Sequence, residues 1–228
     1  PMFSPRQDRD NAILRREINI GLADAEAVAR AAMAEDAAKK RKGENVRRYS
    51  SDGGDPATAL LRAFLAGHAL ARAPGASYEY SNLGYGLLGT ALAEQAQLSY
   101  EELLQARIFR PLGMASSSAL TTPALRARLA PGHLADGKPA SNWDFQAIAG
   151  AGAVRSSARD MVAYMQSYMR GTGQAQQLAV QPRQVLAGEG DGDGVRKAGL
   201  AWILDQIKGQ PFAWHNGQTG GYASFAGY

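Results

Sequence analysis

The sequence predicts a mixed α/β chain of the α+β kind, with helices first and an antiparallel sheet closing the chain. Three observations predict it. Apolar residues recur at helical spacing behind helix-capping residues over roughly the first 170 positions. Three strand-like runs follow, Ala198 to Asp205, Pro211 to Gly217 and Tyr222 to Tyr228, separated by Gly209 and by the turn Thr219-Gly220-Gly221, the pattern of a meander. Hydrophobic residues make up 45% of the 228 and charged ones 20%, which is enough apolar side chain to bury a core.

Residues 1–54 differ from the rest. They hold 11 of the 25 basic and 9 of the 21 acidic residues and no tryptophan, which sets them apart as a divergent helical N-terminal segment ahead of a domain over 55–228. Ala23 to Lys42 reads as an alanine-rich helix whose last turn, Lys39-Lys40-Arg41-Lys42, stops at Gly43. No aromatic residue is interleaved there, so the cations read as a helix end and not as a nucleic-acid patch. Asp55-Pro56 opens the next helix as N-cap and first residue, with Leu60, Leu61, Phe64 and Leu65 on one face, and it ends before Pro74-Gly75. Leu83 to Gln95 follows, capped by Ser81 or Asn82, with Gly84, Gly86, Gly89 and Ala91 small enough for close packing.

Ser99-Tyr100-Glu101-Glu102 is a capping-box start for a helix that stops at Arg110-Pro111. Residues 115–147 are loop-rich, with a turn at Asp136-Gly137, and 149–154 are small residues where backbone can approach closely. Ser157 to Asp160 begins a helix through Arg170, with Met161, Tyr164, Met165 and Tyr168 spaced as a core stripe.

Bulk properties narrow the function. A net charge of +4 is too mild to predict a nucleic-acid partner, and the absence of cysteine excludes disulfides, thiolate metal sites and cysteine nucleophiles. No apolar run is long enough to span a bilayer, so no integral membrane segment is expected, and no signal-peptide pattern opens the chain. With Pro1 at one end and a strand-like run stopping at Tyr228, the chain is expected to be a fragment. The loop Gly188 to Gly194 lacks the spaced ligands and closing glutamate of a calcium loop and reads as a solvated turn. Gly84-x-Gly86-x-x-Gly89 fits a dinucleotide fingerprint letter for letter, but no apolar strand precedes it, and Glu101 and Glu102 come too early to hold a ribose.

Two stretches carry chemistry. In Tyr78 to Gly89, Tyr80 and Asn82 are two apart on an extended approach, so a phenol and an amide point into one space. Tyr80 also stands at the N-terminal mouth of a helix, where negative charge is favoured. In Trp214 to Tyr222, Phe212 and Trp214 face one side of a strand and His215 and Gly217 the other. Gly217 leaves room for a substrate backbone beside the strand, and N–H groups near Gln218 can meet a developing oxyanion. Singly, each stretch has a structural explanation: a helix cap with a half-buried tyrosine, and a histidine on a strand.

Together they resemble the serine-reactive β-lactamase and penicillin-binding protein superfamily, in its class C β-lactamase, family VIII esterase and D-aminopeptidase branch. Tyr80-Ser81-Asn82 matches that family's Tyr-x-Asn motif, and His215-Asn216-Gly217 the His-x-Gly form of its Lys-Thr-Gly motif. Phe109 to Met114, Ala149 to Gly152 and Ser156 to Met161 agree in order, so the resemblance spans about residues 55–228. It implies an antiparallel sheet flanked by helices plus an all-helical lobe, incomplete here, with the site in the cleft between.

The resemblance makes Tyr80 the general base or proton relay, has Asn82 hold the substrate amide, puts His215 in place of the motif lysine and assigns Gln218 N–H to half of the oxyanion hole. Nearby cations would push the Tyr80 phenol down from its ordinary pKa. The family's Ser-x-x-Lys nucleophile motif is absent: no serine of the chain has a lysine three residues later, and the expected His-Thr-Ser-Gly segment is missing too. The expected function is therefore a fragment of a serine hydrolase acting through an acyl-enzyme on β-lactams, esters or D-amino-acid peptides, inactive by itself. The alternative is a catalytically inactive binding module. Either implies a small-molecule or peptide substrate, no metal or organic cofactor, and, by resemblance, a periplasmic or secreted location.

Overall fold

The computed structural model describes residues 56–69, 80–171, 173–182, 184–185 and 197–228. The helix expected over 23–42, the cap Asp55, the Pro74-Gly75 turn and the 188–194 loop lie outside them. Two compact units divide the chain, Pro1–Ala69 and Leu70–Tyr228. In the first, α1 spans Pro56–Gly67; Leu61 is its buried residue, while Phe64 is half exposed and stacks on His68 with ring centroids 5.4 Å apart.

The second unit opens on α2, Asn82–Ala96. Ser81 caps it in extended geometry (φ −145°, ψ 113°), its Oγ accepting the Gly84 N–H at 2.9 Å, and Gln97 closes it at φ 56°. The capping box at Ser99 and Glu102 starts α3, Tyr100–Leu104, which widens into a π turn over Gln105–Phe109 before Pro111 ends it. A short α4, Pro123–Arg126, and a 3₁₀ turn, Gln146–Ala151, punctuate the loop-rich region. Two of the three glycines of α2, Gly86 and Gly89, are explained by that turn. A Cβ on Gly86 would lie 2.5 Å from Ile148 Cβ, and one on Gly89 would lie 3.0 Å from Gly150 Cα. The Thr90 hydroxyl pins the pair by donating to the Ala147 carbonyl at 2.6 Å. These glycines serve helix-to-turn packing.

Helix α5, Ala158–Met169, is capped by Ser157, and α6 spans Gln174–Ala179. The sheet then runs β1 (Gln184–Val185), β2 (Lys197–Ala198), β3 (Ile203–Ile207), β4 (Gln210–Thr219) and β5 (Tyr222–Gly227), in that order and antiparallel throughout. The strand expected from Ala198 to Asp205 is two strands. Between them the chain turns, with Gly199 N–H donating to the Trp202 carbonyl at 2.8 Å, Leu200 N–H to the Ala179 carbonyl at 2.7 Å, and Ala201 at φ 60°. That break swings the Trp202 ring into the core, where it is 6% exposed.

Two apolar clusters hold the unit together. Leu104, Phe109, Met114, Ala119 and Ala153 form one; Ala179, Trp202 and Ala213 form the other. Tyr164 packs against both, so α5 joins the helical part to the sheet. Of the expected stripe, Tyr164, Met165 and Tyr168 do line the core. The start of α5 is tied to the 115–118 turn by the buried Asp160, whose Oδ2 accepts from Ser116 N–H at 2.7 Å and from the Ser117 hydroxyl at 2.8 Å. Among the described residues no helix is long and apolar enough to cross a membrane.

Candidate active site

Two walls face each other. On the first, Tyr80 stands just ahead of the Ser81 cap, and its hydroxyl donates to Asn82 Oδ1 at 3.2 Å, so the phenol and amide expected to share a space do so. On the second, His215 of β4 presents its ring to Tyr80, with centroids 6.5 Å apart and planes 29° from parallel. The phenol's acidity runs against the sequence reading. Burial first, and then Tyr85, raise the Tyr80 pKa above its ordinary value. Neither cause is a cation, so the depression the resemblance called for has no source here.

The register of the β4–β5 hairpin says what else lies on the His215 wall. Directly paired residues in an antiparallel ladder share a face, and alternate residues along each strand do too. His215 pairs with Ala226, Gly217 with Ser224 and Thr219 with Tyr222, so these six form one row of sites. Ala213 and Tyr228 continue that face into the cluster beneath α5. The opposite face carries Phe212, Trp214 and Phe225, stacked with centroids 5.6 to 6.3 Å apart.

The same register orients the backbone. Ala213 and Tyr228 exchange both N–H···O bonds at 3.0 Å. Antiparallel ladders alternate, so His215, Gly217 and Thr219 also bond toward β5, while Asn216 and Gln218 turn their N–H and C=O groups the other way. On that side β3 pairs with β4 only as far as Ile203 opposite Trp214. The Gln218 N–H thus points to an edge that β3 does not cover. The Asn216 carbonyl on this edge is met by His215 Nδ1 at 2.6 Å. A carbonyl can only accept, so Nδ1 carries a hydrogen and donates it to Asn216.

The hairpin tip is clamped from outside. His133 N–H donates to the Gly221 carbonyl at 3.1 Å, and the Tyr222 hydroxyl bonds the Ala130 carbonyl at 2.6 Å and Asn142 Oδ1 at 3.0 Å. A Cβ on Gly221 would lie 2.6 Å from Ala140 Cβ, so the turn fits this loop only as glycine, and its φ of 79° suits glycine as well. A hollow of about 180 Å³ between Arg126, Leu129, Pro139, Asn142 and Tyr222 includes neither Tyr80 nor His215. No set of three or more acidic or histidine side chains among the described residues is placed to hold a metal.

Sequence reasoning did not foresee the Tyr222 hydroxyl as the clamp of the hairpin tip, because its partners Ala130 and Asn142 lie 92 and 80 positions away.

A mixed fold with an antiparallel sheet, a helix-mouth tyrosine facing a strand histidine, and a stretch of β4 that β3 leaves unpaired define a protein built like the serine β-lactamases and penicillin-binding proteins. The chain belongs to the Beta-lactamase family, whose sequence model matches residues 17–228 and so begins within the segment set apart as 1–54. It is 37% identical over 100 residues to the D-alanyl-D-alanine-carboxypeptidase/endopeptidase AmpH of Escherichia coli K12, a match covering 44% of this chain and 25% of that protein. Against penicillin-binding protein 4 of Amycolatopsis lactamdurans it is 30% identical over 167 residues, 67% of this chain and 44% of that one. The chain therefore spans a quarter to less than half of these relatives. The solved D-alanine carboxypeptidase AmpC from Burkholderia cenocepacia superposes with a TM-score of 0.64 at 22% identity, covering 75% of this chain and 57% of that structure, which establishes the shared fold.

Proposed function

We propose that this chain supplies the tyrosine and histidine walls of an acyl-enzyme hydrolase site for β-lactams, esters or D-amino-acid peptides, with its serine nucleophile on a Ser-x-x-Lys that is not among these 228 residues. The observation that carries the reading is the Tyr80–His215 ring pairing at the stretch of β4 that β3 leaves unpaired. An extended substrate adds to that edge, pairing with Asn216 and Gln218, while Asn82 holds its amide. The serine oxygen attacks the acyl carbonyl, and its proton passes toward Tyr80. The Gln218 N–H receives the oxyanion, and the departing amine or alcohol takes the proton back through the phenol. Water then repeats the sequence to release the acid. Burial and Tyr85 keep the isolated phenol protonated, so a cation brought by the motif lysine is needed to make Tyr80 a relay.

That same protonated phenol, with no Ser-x-x-Lys in the sequence, favours a second reading in which the fold is a binding module without turnover. A labelled penicillin and a fluorophosphonate probe separate the two. The 228-residue chain is expected to remain unlabelled, and the longest open reading frame that contains it is expected to carry a Ser-x-x-Lys and to become tagged on that serine. A frame without the motif, or one that carries it and stays untagged, removes the hydrolase reading.

A further inference from the structure

We propose that Asn82 is a positioning residue for Tyr80: its amide oxygen holds the phenol hydrogen, which leaves the lone pairs of the hydroxyl as the part an incoming serine meets. Its part in the reaction rests on the functional reading above. The Tyr80 hydroxyl has one hydrogen-bond partner among the described residues, Asn82 Oδ1 at 3.2 Å. A phenol carries a single hydrogen, so this bond fixes the rotation of the hydroxyl about its C–O bond. The acceptor is itself held by the helix. Asn82 is the first residue of α2, directly after Ser81, whose Oγ accepts the Gly84 N–H at 2.9 Å. Tyr80 lies ahead of that cap and is 43% exposed, so its hydroxyl takes its direction from the amide. Asn82 Nδ2 has no partner among the described residues, so the amide can hold the phenol with its oxygen and a ligand carbonyl with its nitrogen.

An amide oxygen accepts a hydrogen bond but is far too weak a base to take the proton. No proton therefore passes through Asn82, and for Tyr80 to relay one its O–H must first part from the amide oxygen. A bond donated by the neutral phenol stabilises the protonated form, in the same direction as burial and Tyr85. Two titratable groups face the ring, Tyr85 from α2 and His215 from β4. The ordinary range of histidine lies well below that of a phenol, and a substitution at Asn82 alters neither side chain.

The test is a pH titration of the 228-residue chain, isotope-labelled at the tyrosine Cζ and read by NMR, with Tyr80→Phe assigning the Tyr80 signal. Asn82→Ala is expected to lower the Tyr80 midpoint by about 0.5 to 1 pH unit, the size of one hydrogen bond, without loss of thermal stability. Asn82→Asp keeps an acceptor, adds a negative charge and is expected to raise it. An unchanged midpoint in Asn82→Ala overturns the assignment alone; a rise overturns it too, because the amide would then be the donor. In the longest open reading frame that contains the chain, fluorophosphonate labelling draws on the relay but uses no substrate amide. Its increase with pH is expected to move down by the same amount in Asn82→Ala, and an increase that stays in place overturns the positioning role. Absence of labelling in the wild-type frame overturns the functional reading, while the titration of the 228-residue chain still decides whether Asn82 holds the proton.

Discussion

Replacing Gly86 by alanine sets two effects of opposite sign against each other. In the interior of α2, alanine is favoured over glycine by about 1 kcal/mol through backbone entropy. The new Cβ, however, would stand 2.5 Å from Ile148 Cβ, 2.7 Å from its Cγ2 and 2.8 Å from its Cα. The first two atoms can move with the side chain; the third is backbone of the 3₁₀ turn, which Thr90 anchors. Overpacking of this kind costs about 1–3 kcal/mol, and with backbone in the way the upper end applies. The net expectation is a loss of about 2 kcal/mol, a fall in thermal midpoint of about 4–8 °C for a chain of this length. Gly84→Ala on the same helix is the control, because its Cβ meets only Ser81 Cβ and Oγ at 3.4 Å, and it is expected to hold or raise the midpoint. Thermal unfolding followed by circular dichroism reads both. If Gly86→Ala proves as stable as Gly84→Ala, the claim that these glycines exist to seat the 3₁₀ turn is wrong. A double-mutant cycle with Ile148→Gly adds detail, since removal of the clashing side chain is expected to recover part of the loss.

Three further outcomes follow from the same geometry. Asp160→Ala strands the Ser116 N–H and the Ser117 hydroxyl in a buried place and is expected to cost about 2–3 kcal/mol in urea unfolding, with Asp160→Asn losing less because one amide oxygen can still accept both. Tyr222→Phe removes the hydroxyl that holds the hairpin tip, at about 0.5–1.5 kcal/mol, and should speed hydrogen exchange at the amides of His133 and Tyr222. Stability should fall as pH rises past about 10, the ordinary phenol value. Burial first, and then Tyr168 and Tyr228, push the Tyr164 phenol far up, so in that window the unfolded chain has released a proton that the folded chain still holds. Urea midpoints across that range check it, and Tyr164→Phe should flatten the decline.

The parts of this fold that were legible in the sequence are those set by chemistry within a few residues. The caps at Ser81, Ser99 with Glu102, and Ser157 are side chains meeting N–H groups three positions on, and each stands where the pattern placed it. The meander and the two faces of β4 follow from alternation and glycine turns in the same way. What was hidden depends on distant partners. Nothing near Ala201 announces a left-handed residue; the turn there exists because Trp202 gains a buried place against Tyr168 and Tyr228. Glu101 reads as a first-turn acid, yet it accepts the Ala119 N–H, a partner 18 positions away, at 2.6 Å. At the site, Tyr80, Asn82 and His215 could be named from motif residues, whereas the direction of the Tyr80 pKa required knowledge of what surrounds the ring.

The early end of β3 acts as a ruler. From His215 to Thr219, β4 runs about 17 Å beyond its neighbour, at about 3.4 Å per residue, with outward-turned peptide groups only at Asn216 and Gln218. Were the Gly199–Trp202 turn one residue pair shorter and β3 correspondingly longer, the added residues would occupy Asn216, and a guest chain would have a single rung left. The length of that turn thus sets how much of the β4 edge β3 leaves open to an added strand.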